Sequence, residues 1–280
     1  MPDNSKKNHY ASLFWGGLRL AELNNEAECG ADIVCIDLED SVPLDRKEEG
    51  RLALKQFLET YTPTKSAQYI VRMNSLDSED GQSDLDMLVN QPAFISTLLI
   101  PKLESVAELI QVSHFLEEKN SPLNLFGIIE TAKGLEHASL IACAHPKLKG
   151  LYFGGFDLST AIGCEMDWEP LLYSRSKVVH AAALGGILVF DSPAPFVDAS
   201  ADQEKLYNYC LRSKALGMMG MVTKHGSQVS TIKRAFSPSA EEIARAEKIL
   251  AMYAIDPSRP IVYEGKLIEL PMIKKLRQLF

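Results

Sequence analysis

The chain has 280 residues, of which 46% are hydrophobic and 24% charged, with a formal net charge of -8. That length suits one α/β barrel, and the acidic balance excludes nucleic acid and anionic membrane surfaces as general partners. No apolar core follows Met1-Pro2-Asp3-Asn4-Ser5-Lys6-Lys7-Asn8 and no run of about 18 apolar residues occurs; with five cysteines and no CxxC pair, a cytoplasmic protein with free thiols is predicted.

Along the chain, short runs rich in Ile, Val, Leu and Phe alternate with longer amphipathic segments. Strands are predicted at residues 12–15, 32–38, 69–74, 97–102, 125–130, 150–154, 187–191 and 218–223. Helices are predicted at residues 18–29, 47–60, 84–90, 105–119, 134–143, 169–184, 201–216 and 228–235. Eight strands, each followed by a helix, argue for a closed (β/α)8 TIM barrel over an open sheet. Gly16-Gly17 after the first strand is neither G-x-G-x-x-G nor a P-loop, so a dinucleotide fold is not indicated. Beyond the barrel, Ser239 and Glu242 stand at capping-box spacing and open a helix over residues 240–251. Asp256-Pro257-Ser258-Arg259-Pro260 then breaks the chain. The expected division is a barrel over residues 1–238, with residues 239–280 a C-terminal helix and lid or oligomerisation arm of the same domain.

Polar residues gather where apolar strands end. The second strand ends in Asp37, Glu39 and Asp40, the third in Arg72 and Asn74, the fourth in Lys102 and the fifth in Glu130. Asp157 follows the sixth, Asp191 ends the seventh, and Thr223-Lys224-His225 ends the eighth. In a barrel those ends open on one face, where active sites sit. Carboxylates dominate, which disfavours zinc and favours a hard cation such as Mg2+. Glu130 and Asp157, at the ends of adjacent strands, can reach one ion. Asp37, Glu39 and Asp40 either hold its water or orient basic partners. The planar fork of Arg72 suits either a substrate carboxylate or an ion pair with Asp37 or Glu39. Lys102 suits either the same acids or the substrate; a Schiff base is the weaker alternative for it.

At these residues the sequence resembles the citrate lyase beta-subunit-like family, which includes malyl-CoA and citramalyl-CoA lyases. The matching stretches are Ala31-Asp32-Ile33-Val34-Cys35-Ile36-Asp37-Leu38-Glu39-Asp40-Ser41-Val42, then Lys47 and Arg51, then Val71-Arg72-Met73-Asn74. Ile100-Pro101-Lys102, Ile129-Glu130-Thr131-Ala132 and Phe153-Gly154-Gly155-Phe156-Asp157-Leu158 follow, and later Ser174-Arg175-Ser176-Lys177, Phe190-Asp191 and Phe236-Ser237-Pro238-Ser239. The match spans nearly the whole chain. It implies a homotrimer or hexamer, magnesium held by Glu130 and Asp157, a CoA thioester substrate, and Arg72 on the oxo-acid carboxylate. The substrate-binding set is then Arg72, Lys102, Gly155 and Phe156. The catalytic set is Arg72, Glu39, Asp37 and Glu269, the last on a lid that enters a neighbouring subunit's site.

The sequence departs from the family pattern in places. Tyr10-Ala11-Ser12-Leu13-Phe14 stands where an arginine often leads, Glu269 where aspartate is usual, Gly226 where proline follows histidine, and Met221 where lysine often follows glycine. The reaction implied is magnesium-assisted cleavage of a 3-hydroxyacyl-CoA to an oxo-acid, pyruvate or glyoxylate, and acetyl-CoA. A CoA-free hydroxy-oxo-acid aldolase, a thioesterase, and a non-catalytic subunit of a carrier complex are the alternatives.

Overall fold

The computed structural model describes residues 10–23, 29–63, 67–89, 94–196, 202–257, 259–277 and 279. Eight parallel strands close into a barrel in sequence order: β1 (Tyr10–Gly16), β2 (Ile33–Asp37), β3 (Gln68–Arg72), β4 (Ile95–Ile100), β5 (Asn124–Ile129), β6 (Leu148–Phe153), β7 (Leu188–Asp191) and β8 (Gly220–Thr223). β8 pairs back onto β1, with Ser12 opposite Val222.

The continuous apolar runs reflect two buried faces. Ile33, Cys35, Ile70, Leu99, Phe126, Ile128, Tyr152, Phe190 and Val222 fill the barrel. Their neighbours Val34, Ile36, Val71, Leu98, Ile129, Phe153 and Val189 face the helical layer. A strand alternates faces with a period of two, so both layers are fixed once one residue is placed. One further step along each strand turns Asp37, Arg72 and Glu130 into the mouth and turns Asp191 outward.

The helices are α1 (Lys47–Thr60), α2 (Glu79–Leu88), α3 (Val106–Glu118), α4 (Ala132–Ala142), α5 (Gly155–Ile162), α6 (Trp168–Gly185), α7 (Gln203–Leu216) and α8 (Gly226–Phe236). Side-chain caps set several starts. Ser78 accepts from Gly81 N–H, Ser105 from Glu108 N–H and Thr131 from Gly134 N–H, satisfying donors that a helix leaves orphaned. The Ser78 cap starts α2 five residues before the expected helix at 84–90; residue 90 lies outside the described residues. The segment expected as a helix over 18–29 is a 3-10 turn at Gly17–Glu22, and residues 24–28 lie outside the described residues. Helix α5 was not expected at all.

After the barrel, α9 (Ala240–Ile255) opens with the capping box that its spacing predicts, Ser239 and Glu242 bonding reciprocally. A hairpin of β9 (Ile261–Tyr263) and β10 (Lys266–Ile268) and then α10 (Leu270–Arg277) follow. Ile249, Ile261, Ile268 and Ile273 form their own small apolar cluster there. Among the described residues no helix is long and apolar enough to cross a membrane and no disulfide forms.

Candidate active site

A cavity of ≈ 120 Å³ opens at the C-terminal mouth of the barrel. Its floor is apolar, formed by Phe14, Ile128, Tyr152 and Val222. Tyr152 is held by stacking on Phe190, with ring centroids 4.5 Å apart, and by a 3.0 Å hydrogen bond with Ser12 Oγ. Its walls carry Asp40, Arg72, Glu130, Gly155, Phe156, Asp157, Ser192 and Lys224.

On one side stands a network around Arg72. Its Nε and Nη2 donate to the two oxygens of Asp37, each at 2.7 Å, so one edge of the guanidinium fork is closed. Nη1 donates to Asp40 at 3.2 Å and lies 2.6 Å from Glu39 Oε2, off the hydrogen-bonding angle and leaving that oxygen without a hydrogen bond. Glu39 Oε1 accepts from Lys102 Nζ at 2.5 Å. The loop carrying these acids is pinned from below. Lys47 donates to the carbonyls of Leu38 and Glu39 at 3.0 and 2.7 Å, and Asp37 accepts from the N–H groups of Glu39 and Ser41. Burial would raise the Asp37 carboxyl, but Arg72 and these donors hold it below the usual carboxylate range. For Glu39 burial prevails over Arg72 and Lys102, and its carboxyl is raised. Arg72 and Lys102 both form the ion pairs with strand-end acids that are one of the two readings open for each.

Opposite lies Glu130, 3% exposed. Its Oε1 accepts the Lys102 backbone N–H at 2.8 Å, an arrangement reached through a left-handed Lys102 at φ 47°. Burial, then the charges of Glu39 and Asp157, push its carboxyl up to about 8. Gly154 presses on it: a Cβ there would lie 2.3 Å from Glu130 Cβ and 2.6 Å from Oε2, so no side chain fits. Asp157 sits on the first turn of α5, which orients it over the cavity. Gly155 and Phe156 precede it. The space at Gly155 is filled by Met166, Phe153 and Ser192, which leaves only its backbone for a ligand; Phe156 is 45% exposed at the rim.

Glu130 and Asp157 fit a hard divalent cation. Both line the same cavity, and Glu130, buried and bonded through Oε1 to the Lys102 N–H, keeps Oε2 for an ion. Among the described residues no group of three or more His, Cys, Asp or Glu side chains is arranged to hold a metal. Two carboxylates nonetheless suffice for magnesium, which completes its shell with substrate oxygens and water.

The structure separates other expected residues from this mouth. Asp191 was expected among the mouth acids; it points outward and is fully buried, because the alternation of β7 turns Ser192 inward instead. Asp191 binds Arg175 at 3.0 Å, Ser213 Oγ at 2.8 Å and Ser192 N–H at 2.9 Å. Arg175 is itself wedged 4.9 Å from Phe153 and 5.1 Å from Trp168. Arg51 and Asn74 likewise serve the scaffold, both bonding Asp84. Glu269 is exposed at the start of α10 and does not line the cavity. Sequence reasoning missed Phe14, Tyr152 and Ser192 as lining residues and left Lys224 without a role; counting the two-residue period from any barrel-filling residue would have found all four.

A model of the HpcH/HpaI aldolase/citrate lyase family matches residues 11–226. An L-malyl-CoA/beta-methylmalyl-CoA lyase of Cereibacter sphaeroides is 30% identical over 94% of this chain and 91% of its own length. The mitochondrial citramalyl-CoA lyase of Rattus norvegicus is 27% identical over 89% of this chain and 78% of its own. Among solved structures, CitE from Mycobacterium tuberculosis in complex with magnesium, acetoacetate and coenzyme A superposes with a TM-score of 0.81 at 27% identity, covering 97% of this chain and 96% of that one. RipC from Yersinia pestis gives 0.72 at 33% identity, covering 86% and 100%.

Proposed function

The chain belongs to the HpcH/HpaI aldolase/citrate lyase family and is a lyase, and from that premise we propose that it cleaves a 3-hydroxyacyl-CoA of the citramalyl or malyl type to an oxo-acid and acetyl-CoA. The observation that carries this reading is the pairing of Glu130 and Asp157 with Arg72 around one small cavity. Glu130 and Asp157 would hold a magnesium ion, whose presence in the CitE complex supports the choice of metal. When bound, the ion supplies Lewis-acid polarisation of the substrate's hydroxyl and carboxylate oxygens.

The chain's own groups do the rest. Asp37 and Glu39 fix Arg72, so its guanidinium is preorganised rather than mobile. Its remaining edge, formed by Nη1 and Nη2, receives the substrate carboxylate as the half-exposed Asp40 gives way. Lys102 balances Glu39 and sets the Glu130 oxygen through its backbone N–H. The Gly155 backbone and the Phe156 ring flank the acyl chain. The carbinol hydroxyl gives up its proton to solvent at the open mouth of the cavity and becomes the oxo-acid carbonyl. The electrons of the broken C–C bond form the enolate of acetyl-CoA, which takes a proton from Glu269 of a partner subunit. The exposure of Val262, Leu267, Leu270 and Met272 around Glu269 supports an arm that packs on another copy in a homotrimer or hexamer.

Glu130→Gln tests the reading. It keeps the shape and removes one metal-binding charge, so oxo-acid release should be lost with the thermal unfolding midpoint preserved or raised. Undiminished release would contradict the assignment of Glu130.

A further inference from the structure

Lys224 lies one step past β8, and the alternation that turns Val222 into the barrel turns Lys224 into the mouth, beside the same cavity as Arg72 and Glu130. Three cations stand at this end. Arg72 is engaged by Asp37, Glu39 and Asp40, and Lys102 by Glu39. Among the described residues the Lys224 ammonium has no ion pair and no hydrogen bond. Arg72 and Lys102 are thus already matched by strand-end acids, and Lys224 is the unmatched cation among the described residues that line the cavity. The floor below is apolar, and a carboxylate that sheds water against it needs a cation in compensation.

We propose that Lys224 is a substrate-binding, specificity-determining residue that takes the carboxylate of the substrate's acid half from the β8 side while Arg72 meets it from the β3 side. The assignment rests on the lyase reading above. It makes Lys224 the source of the charge that favours an acid over its neutral ester or amide. Its target is the oxo-acid half alone; the CoA half is left to other residues.

The test is calorimetric binding of pyruvate, glyoxylate and, separately, acetyl-CoA to the magnesium-loaded protein and to its Lys224→Met and Lys224→Arg variants. Lys224 is exposed, so neither variant should shift the thermal midpoint. Lys224→Met is expected to weaken both oxo-acids about 10- to 100-fold, the range for loss of a charged hydrogen bond. Lys224→Arg should stay within about threefold of the parent because the charge is kept. Acetyl-CoA should bind all three proteins alike. Parental affinity of Lys224→Met for pyruvate and glyoxylate would overturn the proposal and leave the lyase reading standing. Weakened acetyl-CoA with intact oxo-acid binding would overturn it too, moving Lys224 to the CoA phosphates. Failure of the parent protein to bind either oxo-acid would remove the lyase reading and this proposal together.

Discussion

Replacing Asp191 by Asn probes the buried pair behind the mouth. Both Asp191 and Arg175 are fully buried. The substitution keeps volume and one acceptor oxygen but removes the negative charge opposite the buried Arg175, which keeps Tyr209 Oη at 2.8 Å, a long contact to the Asp167 carbonyl and the flanking Phe153 and Trp168 rings. Breaking one partner of a buried pair costs about 3–5 kcal/mol. For a chain of this size that corresponds to a fall of about 6–20 °C in the thermal midpoint. Arg175→Met alone should be similarly costly, whereas the double variant should recover about 2 kcal/mol or more of the summed loss, since it leaves no unpaired charge. Calorimetric unfolding of the three variants and the parent gives the cycle. A loss under about 0.5 kcal/mol for Asp191→Asn, or strict additivity in the double variant, would refute the argument that these two charges depend on one another.

Other consequences are checked more briefly. Because the Glu130 carboxyl is pushed up to about 8 by burial and by Glu39 and Asp157, the metal-free protein holds a proton there that the unfolded chain releases near pH 4.5. This group's contribution to stability therefore falls as pH rises from about 4.5 to 8; Glu130→Gln should remove that slope, as read from midpoints across the range. For the same reason magnesium binding at pH 7 should release close to one proton, measurable by titration in buffers of different ionisation enthalpy. Gly154→Ala would drive a methyl into Glu130 and should abolish magnesium binding or destabilise the fold by about 2 kcal/mol or more; parental behaviour in both would contradict the close approach. Arg72→Lys loses the two parallel bonds to Asp37, and kcat/KM should drop about 100-fold or more, the charge being retained but not the fork.

The barrel was legible because its strands are buried on both faces, so runs such as Ile33-Val34-Cys35-Ile36 stand out against amphipathic helices. The mouth was legible only by strand ends, and that shortcut misread Asp191: the end of a strand says how high a side chain sits, not which way it faces. Helix α5 escaped notice because it is eight residues long, begins at glycine and has no side-chain cap. The β9–β10 hairpin escaped because its strands have three residues each; its turn signal, Glu264-Gly265, shows only as positive φ at both positions. The acids around Arg72 could be named from the sequence, but their choice of partner could not, since one fork suits Asp37 and a substrate carboxylate equally.

The central claim is that this mouth breaks a carbon–carbon bond next to an oxo-acid carboxylate. It is tested most directly by incubating the purified protein with citramalyl-CoA and with malyl-CoA, with magnesium and again with a chelator, while following pyruvate, glyoxylate and free thiol together. The account expects magnesium-dependent release of pyruvate or glyoxylate without free thiol. Free thiol without an oxo-acid, or release unaffected by the chelator, would contradict it.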